Sequence, residues 1–297
     1  MTTFFLNRLA TEPHALAFAG QSTPWPVALA DQTTDPSLDE ALRGHVAAAG
    51  RLLTPVAADL LATGRPVDLF GFAPNPARLG AAADATASVE GVALTQLGAL
   101  LDLEHLGYSV AQAKPLAVLG HSQGVLAVHM TRAIEAAGSI EAAGTTLDEI
   151  LAVAALIGAA GTRRVRELGL NPKYGEASPM LSVKGATRAQ VEALVARVNN
   201  ARGPISIAVT NSDNHHVLSG YPEDLAAFAL EAEREHQHQA KLREQKLHGG
   251  TVFNPTLEYL EVTLPFHSPL MTDAVEQTVA WAGACGFDQK RTRALAE

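Results

Sequence analysis

The residues with the clearest chemical reading are Gly120-His121-Ser122-Gln123-Gly124. A G-x-S-x-G pentapeptide between an apolar strand and a helix is the nucleophile elbow. The turn is too tight for side chains at its outer positions, so glycines occupy both. The serine Oγ then projects clear of the backbone, and the N–H dipoles of the following helix face any developing negative charge. Here the pentapeptide follows the apolar run 115–119 and precedes a helix-patterned run, 125–137, that ends at Gly138. Ser122 therefore reads as a nucleophile for an acyl carbon. At neutral pH a serine hydroxyl needs a base, and the chain offers 11 histidines. His267 follows Pro265-Phe266 and precedes Ser268-Pro269, which places it in a rigid loop at the end of an element. His121 adjoins Ser122, but its side chain is expected to point across the turn from Oγ. His236 and His238 lie in a charged helical stretch, and His215 and His216 neighbour Asp213 without a third ligand at metal spacing. The local pattern ranks His267 first and leaves the other histidines open.

Several elements must hold these groups. Residues 14–20 (HALAFAG) read as a buried strand running into a loop broken by Pro24-Trp25-Pro26. Helical periodicity covers 37–61 and 82–106, with a Gly- and Pro-rich connection at 64–78. Residues 146–168 read as a further helix, started by the Thr146-x-x-Glu149 capping pattern. The character then changes. Strand-like 180–183, helical 187–198, short strands 205–210 and 216–219, a charged helix 223–246 and β-like 251–252 and 257–264 give the order β-α-β-β-α-β. That order predicts a ferredoxin-like α+β subdomain over 175–263. It is inserted in an α/β core of 1–174 and 264–297, built on a parallel sheet of α/β-hydrolase kind.

Composition sets the outer limits. The 297 residues are 47% hydrophobic and 18% charged, ordinary for a globular chain. The net charge of −9 speaks against a general affinity for nucleic acid or anionic membranes. The cluster Arg163, Arg164 and Arg166 is either a solvated helix face or a local seat for phosphate groups. One cysteine, Cys285, makes an internal disulfide impossible and fits a reducing, cytoplasmic setting. The N-terminus has no signal-peptide h-region, and no membrane span is expected.

Three segments, FAGQSTPW, LGHSQG and FHSPLM, occur in that order. With them the chain resembles the acyltransferase family that includes malonyl-CoA:ACP transacylases. It is most similar to the acetyltransferase domain of type I fatty acid synthases of fungal and actinobacterial kind. The resemblance implies that Ser122 is acylated, that His267 is its base, and that the backbone N–H groups of Gln123 and Gln21 form the oxyanion hole. His121 and Ile157 are the implied substrate neighbours. In malonyl enzymes an arginine followed by glycine grips the substrate carboxylate, and the matching place here is Ile157-Gly158. A malonyl carboxylate beside Ile157 would lose its hydration without gaining a bidentate cation, at a cost of several kcal/mol, whereas an acetyl methyl loses nothing.

The implied activity is [acyl-carrier-protein] S-acetyltransferase, a ping-pong transfer through acyl-serine. Acetyl-CoA is the substrate, no cofactor is permanently bound, and the acceptor is the phosphopantetheine thiol of an acyl carrier protein. The implied setting is a multifunctional fatty acid synthase, whose other domains are partners. In the family an Asn-Pro motif, whose carbonyl orients the histidine, lies further along than this chain extends, so a fragment of a longer polypeptide is expected. The alternatives are a malonyl or palmitoyl transferase of the same family, a serine thioesterase or hydrolase, and a docking module. The hydrolase would take its acid from Asp148, Asp213 or Asp224 and an oxyanion loop from Gly249-Gly250.

Overall fold

The computed structural model describes residues 12–20, 24–65, 69–70, 84–170, 177–201, 204–246 and 253–297. Gln21, most of the 64–78 connection, Gly249-Gly250 and the expected strand at 251–252 lie outside them. The chain divides into two compact units, Met1–Arg163 with Ala274–Glu297, and Arg164–Asp273.

In the first unit, strand β1 (Ala15–Phe18) runs parallel to β2 (Ala117–Gly120), with Phe18 opposite Gly120 at the end of the ladder. Helix α1 (Trp25–Gln32) starts where the sequence suggested only a loop. Pro26 sits in its first turn, where proline lacks only a hydrogen bond that no helix makes there. Helix α2 (Pro36–Leu52) is capped by Asp35, whose carboxylate accepts from the amides of Ser37 and Leu38. The predicted single helix over 37–61 is broken there. A 3-10 turn, Thr54–Val56, separates α2 from α3 (Ala57–Ala62).

Helix α4 (Ala85–His105) is capped by Asp84 and packs against α1 and α2. It is buried without interruption from Ala85 to Gly98, as expected of a helix whose small and apolar residues run all round it. A short helix α5 (Val110–Ala113) leads to β2, and α6 (Val125–Ala137) follows the elbow and ends at Gly138, φ 85°. Helix α7 (Ile140–Glu167) begins six residues before the expected Thr146 start. Ser139 Oγ accepts from the Ala142 amide at 3.1 Å and supplies the cap, so Thr146 lies inside the helix. By length and composition α7 is the one candidate membrane span among the described residues, against the expectation of none. Its apolar window is 61% buried inside the protein, which is how a core helix behaves.

The second unit carries β3 (Met180–Lys184), α8 (Arg188–Ala201), β4 (Ser206–Ser212), β5 (His215–Ser219), α9 (Pro222–Glu244) and β6 (Thr256–Tyr259). The sheet order is β4-β5-β3-β6, antiparallel throughout, which is the ferredoxin-like arrangement predicted from the element order. Period-2 alternation divides the sheet faces. Leu181, Val183 and Leu218 pack with Leu194 and Phe228 of the helices, while Met180 and Val217 pack with Val262 and Phe266 on the other face.

Two helices close the chain, α10 (Thr272–Ala284) and α11 (Gln289–Ala296). Trp281 Nε1 donates to Asp59 at 3.1 Å, and Arg291 pairs with Glu149 at 3.3 Å, tying this segment to the first unit. The fold is the expected α/β class, mostly helical, with a small parallel sheet and a four-stranded antiparallel one.

Candidate active site

Ser122 stands at the end of β2, where the ladder turns into helix α6. The His121 amide donates to the Phe18 carbonyl at 3.0 Å, prolonging the pairing by one residue, and the Gly124 amide donates back to the His121 carbonyl at 2.9 Å. A 3-10 turn, Ser122–Gly124, fills the corner. Ser122 itself has φ 52°, a left-handed conformation that costs a non-glycine residue about 1–3 kcal/mol and persists where the surroundings impose it. Gly120 shows why the pentapeptide needs its glycines, since a Cβ there would lie 2.5 Å from the Gly124 carbonyl group.

The loop after β1 comes against this turn. A Cβ on Gly20 would lie 2.5 Å from the His121 carbonyl oxygen, 3.0 Å from Ser122 Cβ and 3.2 Å from the Gln123 amide nitrogen. Gly20 and the GHSQG turn, a hundred residues apart in sequence, therefore approach main chain to main chain. The Gln123 side chain turns inward, its Nε2 donating to the Val89 carbonyl of α4, and its Oε1 is buried with no hydrogen-bond partner among the described residues. His121 is exposed, and Ile157 is half-buried on α7 between fully buried Leu156 and buried Gly158.

His267 belongs to the second unit and is exposed there. It too is left-handed, φ 54°. Ser268 Oγ donates to the Pro265 carbonyl at 2.6 Å, and Phe266 anchors the loop in the Met180–Val217–Val262 cluster. Arg164 holds the far side, with Nε 3.0 Å from the Leu270 carbonyl and a 2.9 Å ion pair to Asp273. This cation, read from sequence as a candidate phosphate ligand, is engaged with carboxylates and a carbonyl of its own unit.

The competing residues are also placed. Asp148, a hydrolase acid by sequence, is 2.6 Å from His45 Nδ1. His215 lies 3.1 Å from Ser182 Oγ, with its pKa lowered by burial and then by Lys184. His216 Nδ1 is 3.2 Å from Thr210 Oγ1, and His236 Nδ1 donates to the Phe253 carbonyl at 2.7 Å. No cluster of three or more metal-ligating side chains occurs among the described residues.

Sequence reasoning passed over Gly20, Gln96 and the anchoring role of Arg164. Gln96 gave no distinct signal, since it is one of several polar residues that α4 buries, Thr86, Ser88, Glu90 and Thr95 among them. Its Nε2 donates to the Ala19 carbonyl at 2.6 Å.

The chain is similar to known proteins in sequence and in fold. Residues 179–259 match the family described as the fatty acid synthase central AT domain. Over 163 residues, half of this chain, it is 29% identical to the fatty acid synthase beta subunit TOXC of Cochliobolus carbonum, of which it covers 8%. Over 168 residues it is 29% identical to fatty acid synthase 2 of Mycosarcoma maydis, with 53% of this chain and 4% of that one covered. The chain thus spans less than a tenth of the length of these curated relatives. Among solved structures, the malonyl CoA-acyl carrier protein transacylase of Coxiella burnetii superposes with a TM-score of 0.57 at 19% identity, covering 91% of this chain and 68% of that one. The corresponding enzyme of Xanthomonas oryzae gives 0.56 at 20%, with the same coverage. The resemblance carried by the three motifs is borne out: the chain is similar to fatty acid synthase acyltransferase domains and has the malonyl transacylase fold.

Proposed function

We propose that this chain is a serine acyltransferase that moves a short acyl group, acetyl before malonyl, from CoA to the phosphopantetheine thiol of an acyl carrier protein. The observation that carries the reading is Ser122, held left-handed at the strand–helix turn with Gly20 seated against the Gln123 amide. Such a corner presents a hydroxyl beside backbone donors, which suits a tetrahedral oxyanion.

In the proposed cycle His267 takes the Ser122 proton as Oγ attacks the thioester carbon. The carbonyl π pair moves onto oxygen and is held by the backbone N–H groups of Gln123 and Gln21. Its return expels the CoA thiolate, which takes the proton from His267. The pantetheine thiol then enters, gives its proton to His267 and attacks the acyl-serine, and Ser122 leaves with that proton. The acetyl preference rests on Ile157, which offers an acyl methyl an apolar wall and a carboxylate no cation. His121, exposed beside Ser122, is the second proposed substrate neighbour. Acyl carrier protein and the other domains of a synthase are the proposed partners, in keeping with the fatty acid synthases among the relatives.

Intact-protein mass spectrometry after mixing with acetyl-CoA or malonyl-CoA tests the reading. We expect an acetyl adduct that is absent in Ser122→Ala and is discharged by pantetheine thiols faster than by water. An adduct that survives in Ser122→Ala, or release by water alone, overturns transfer through Ser122. Equal malonyl loading overturns the acyl preference.

A further inference from the structure

The elbow and the loop after β1 are each tied to the same helix by a glutamine amide. Gln123 Nε2 donates to the Val89 carbonyl on α4. Gln96, also on α4, donates from Nε2 to the Ala19 carbonyl at 2.6 Å. Val89 and Gln96 are seven residues apart, two helical turns, so they share one face of α4 about 10 Å apart. That face is rigid, because α4 is buried through both positions. A long buried helix thus carries one bond to each of the two segments that meet at Ser122.

The Ala19 bond lies at a decisive place. The β1–β2 ladder ends at Phe18 and Gly120, and the Phe18 carbonyl is taken by the His121 amide. Ala19 has the first carbonyl past the ladder, where strand pairing no longer dictates direction. Its C=O and the Gly20 N–H belong to one planar peptide, so fixing the oxygen fixes the plane from which Gly20 departs. Gly20 is the residue packed so closely on this corner that a Cβ there would meet the His121 carbonyl, Ser122 Cβ and the Gln123 amide nitrogen.

We infer that Gln96 is a positioning residue for the Ser122 site: through the Ala19 carbonyl it sets the orientation of Gly20 against the Ser122–Gln123 corner, where charge develops on the acyl oxygen. The inference rests on the acyltransferase reading and adds to it a residue that touches neither substrate nor Ser122. It separates placement from binding. A slackened Ala19–Gly20 peptide spoils the geometry needed as the oxyanion forms, while the walls that receive the acyl-CoA stay where they are.

Rapid-quench measurement of acyl-Ser122 formation from acetyl-CoA, or from malonyl-CoA if that loads the wild type, tests it. Two variants are compared, Gln96→Met, which keeps the volume and removes the donor, and Gln96→Asn, which keeps the amide one methylene short. The acylation rate at saturation should fall by about tenfold or more in each folded variant. The half-saturating acyl-CoA concentration should stay within about twofold and the wild-type unfolding profile should keep its shape. Acylation at the wild-type rate in either folded variant overturns the inference, as does a half-saturation change as large as the rate change. A wild type that forms no acyl-serine from either thioester instead defeats the functional reading itself, so the two failures are distinguishable.

Discussion

Arg164 and Leu270 are joined by a 3.0 Å hydrogen bond, the guanidinium Nε donating to the main-chain carbonyl three residues past His267. The same guanidinium is 2.9 Å from Asp273, so one cation spans both ends of the short turn after the candidate base. Arg164→Met removes both links. If His267 is the base, acyl-enzyme formation should fall about tenfold, because a displacement near 1 Å at a reacting group is costly. Arg164→Lys, which keeps the charge but lacks the planar fork, should recover only part of it. Single-turnover acylation measures both, and a wild-type rate in Arg164→Met would show that the loop holds itself.

Gly20→Ala probes the meeting of the two motifs. The new Cβ would press on the His121 carbonyl at 2.5 Å, and backbone cannot swing away as a side-chain tip can. Overpacking of this kind costs about 1–3 kcal/mol of stability. Acylation should drop by about a hundredfold or more, beyond what that stability change explains. Denaturant unfolding and acyl-enzyme mass, read on the same preparation, provide the check.

Ile157→Arg asks whether this position selects the acyl group. A guanidinium here should raise the malonyl-to-acetyl loading ratio by about tenfold or more, since it gives the carboxylate a bidentate partner. Competition between the two thioesters, read by mass, tests the ratio. An unchanged ratio would mean that another residue meets the acyl tail.

The ion pair beside the elbow carries a stability prediction. Glu90, next to Val89 on α4, is 0% exposed and receives two Arg65 nitrogens at 2.7–3.0 Å. Burial pushes the Glu90 pKa up, and Arg65 pulls it back only in part. A carboxyl whose folded pKa is raised contributes stability that is fully present below its unfolded pKa and is lost as pH rises through the folded one. Arg65→Met leaves that charge unpaired, so the variant should lose about 3–5 kcal/mol near neutrality. The deficit should narrow as pH falls through the raised Glu90 pKa and the group becomes neutral. Denaturant melts of both proteins across that range measure it; a constant gap would mean that Glu90 keeps its charge in the variant.

The helix caps show where local sequence was enough and where it was not. Gly138 ends α6 as read, because a left-handed stop is a property of one residue. Thr146-x-x-Glu149 looked like a start and is not one. Ser139 caps seven residues earlier, and the burial of Ile140, Ala143 and Leu147 carries the helix through the false signal. Pro24-Trp25-Pro26 looked like a break and opens α1 instead, with Trp25 at 2% exposure in the core. Tertiary burial overrides a short-range signal whenever the apolar area it removes from water outweighs a cap or a propensity.

By itself the sequence determined that a serine would stand on a glycine-bounded corner, since that chemistry is written in five adjacent residues. It also determined the order of elements behind the ferredoxin-like sheet, since order and periodicity are local. The tertiary structure decided what the corner rests on. Gly20 packs against the Gln123 main chain, and Gln96 on Ala19 and Arg164 on Leu270 join residues far apart in the chain through main-chain carbonyls that every residue possesses. Because a backbone acceptor leaves no mark in a residue's identity, only the folded path of the chain reveals which carbonyl a glutamine or an arginine will find.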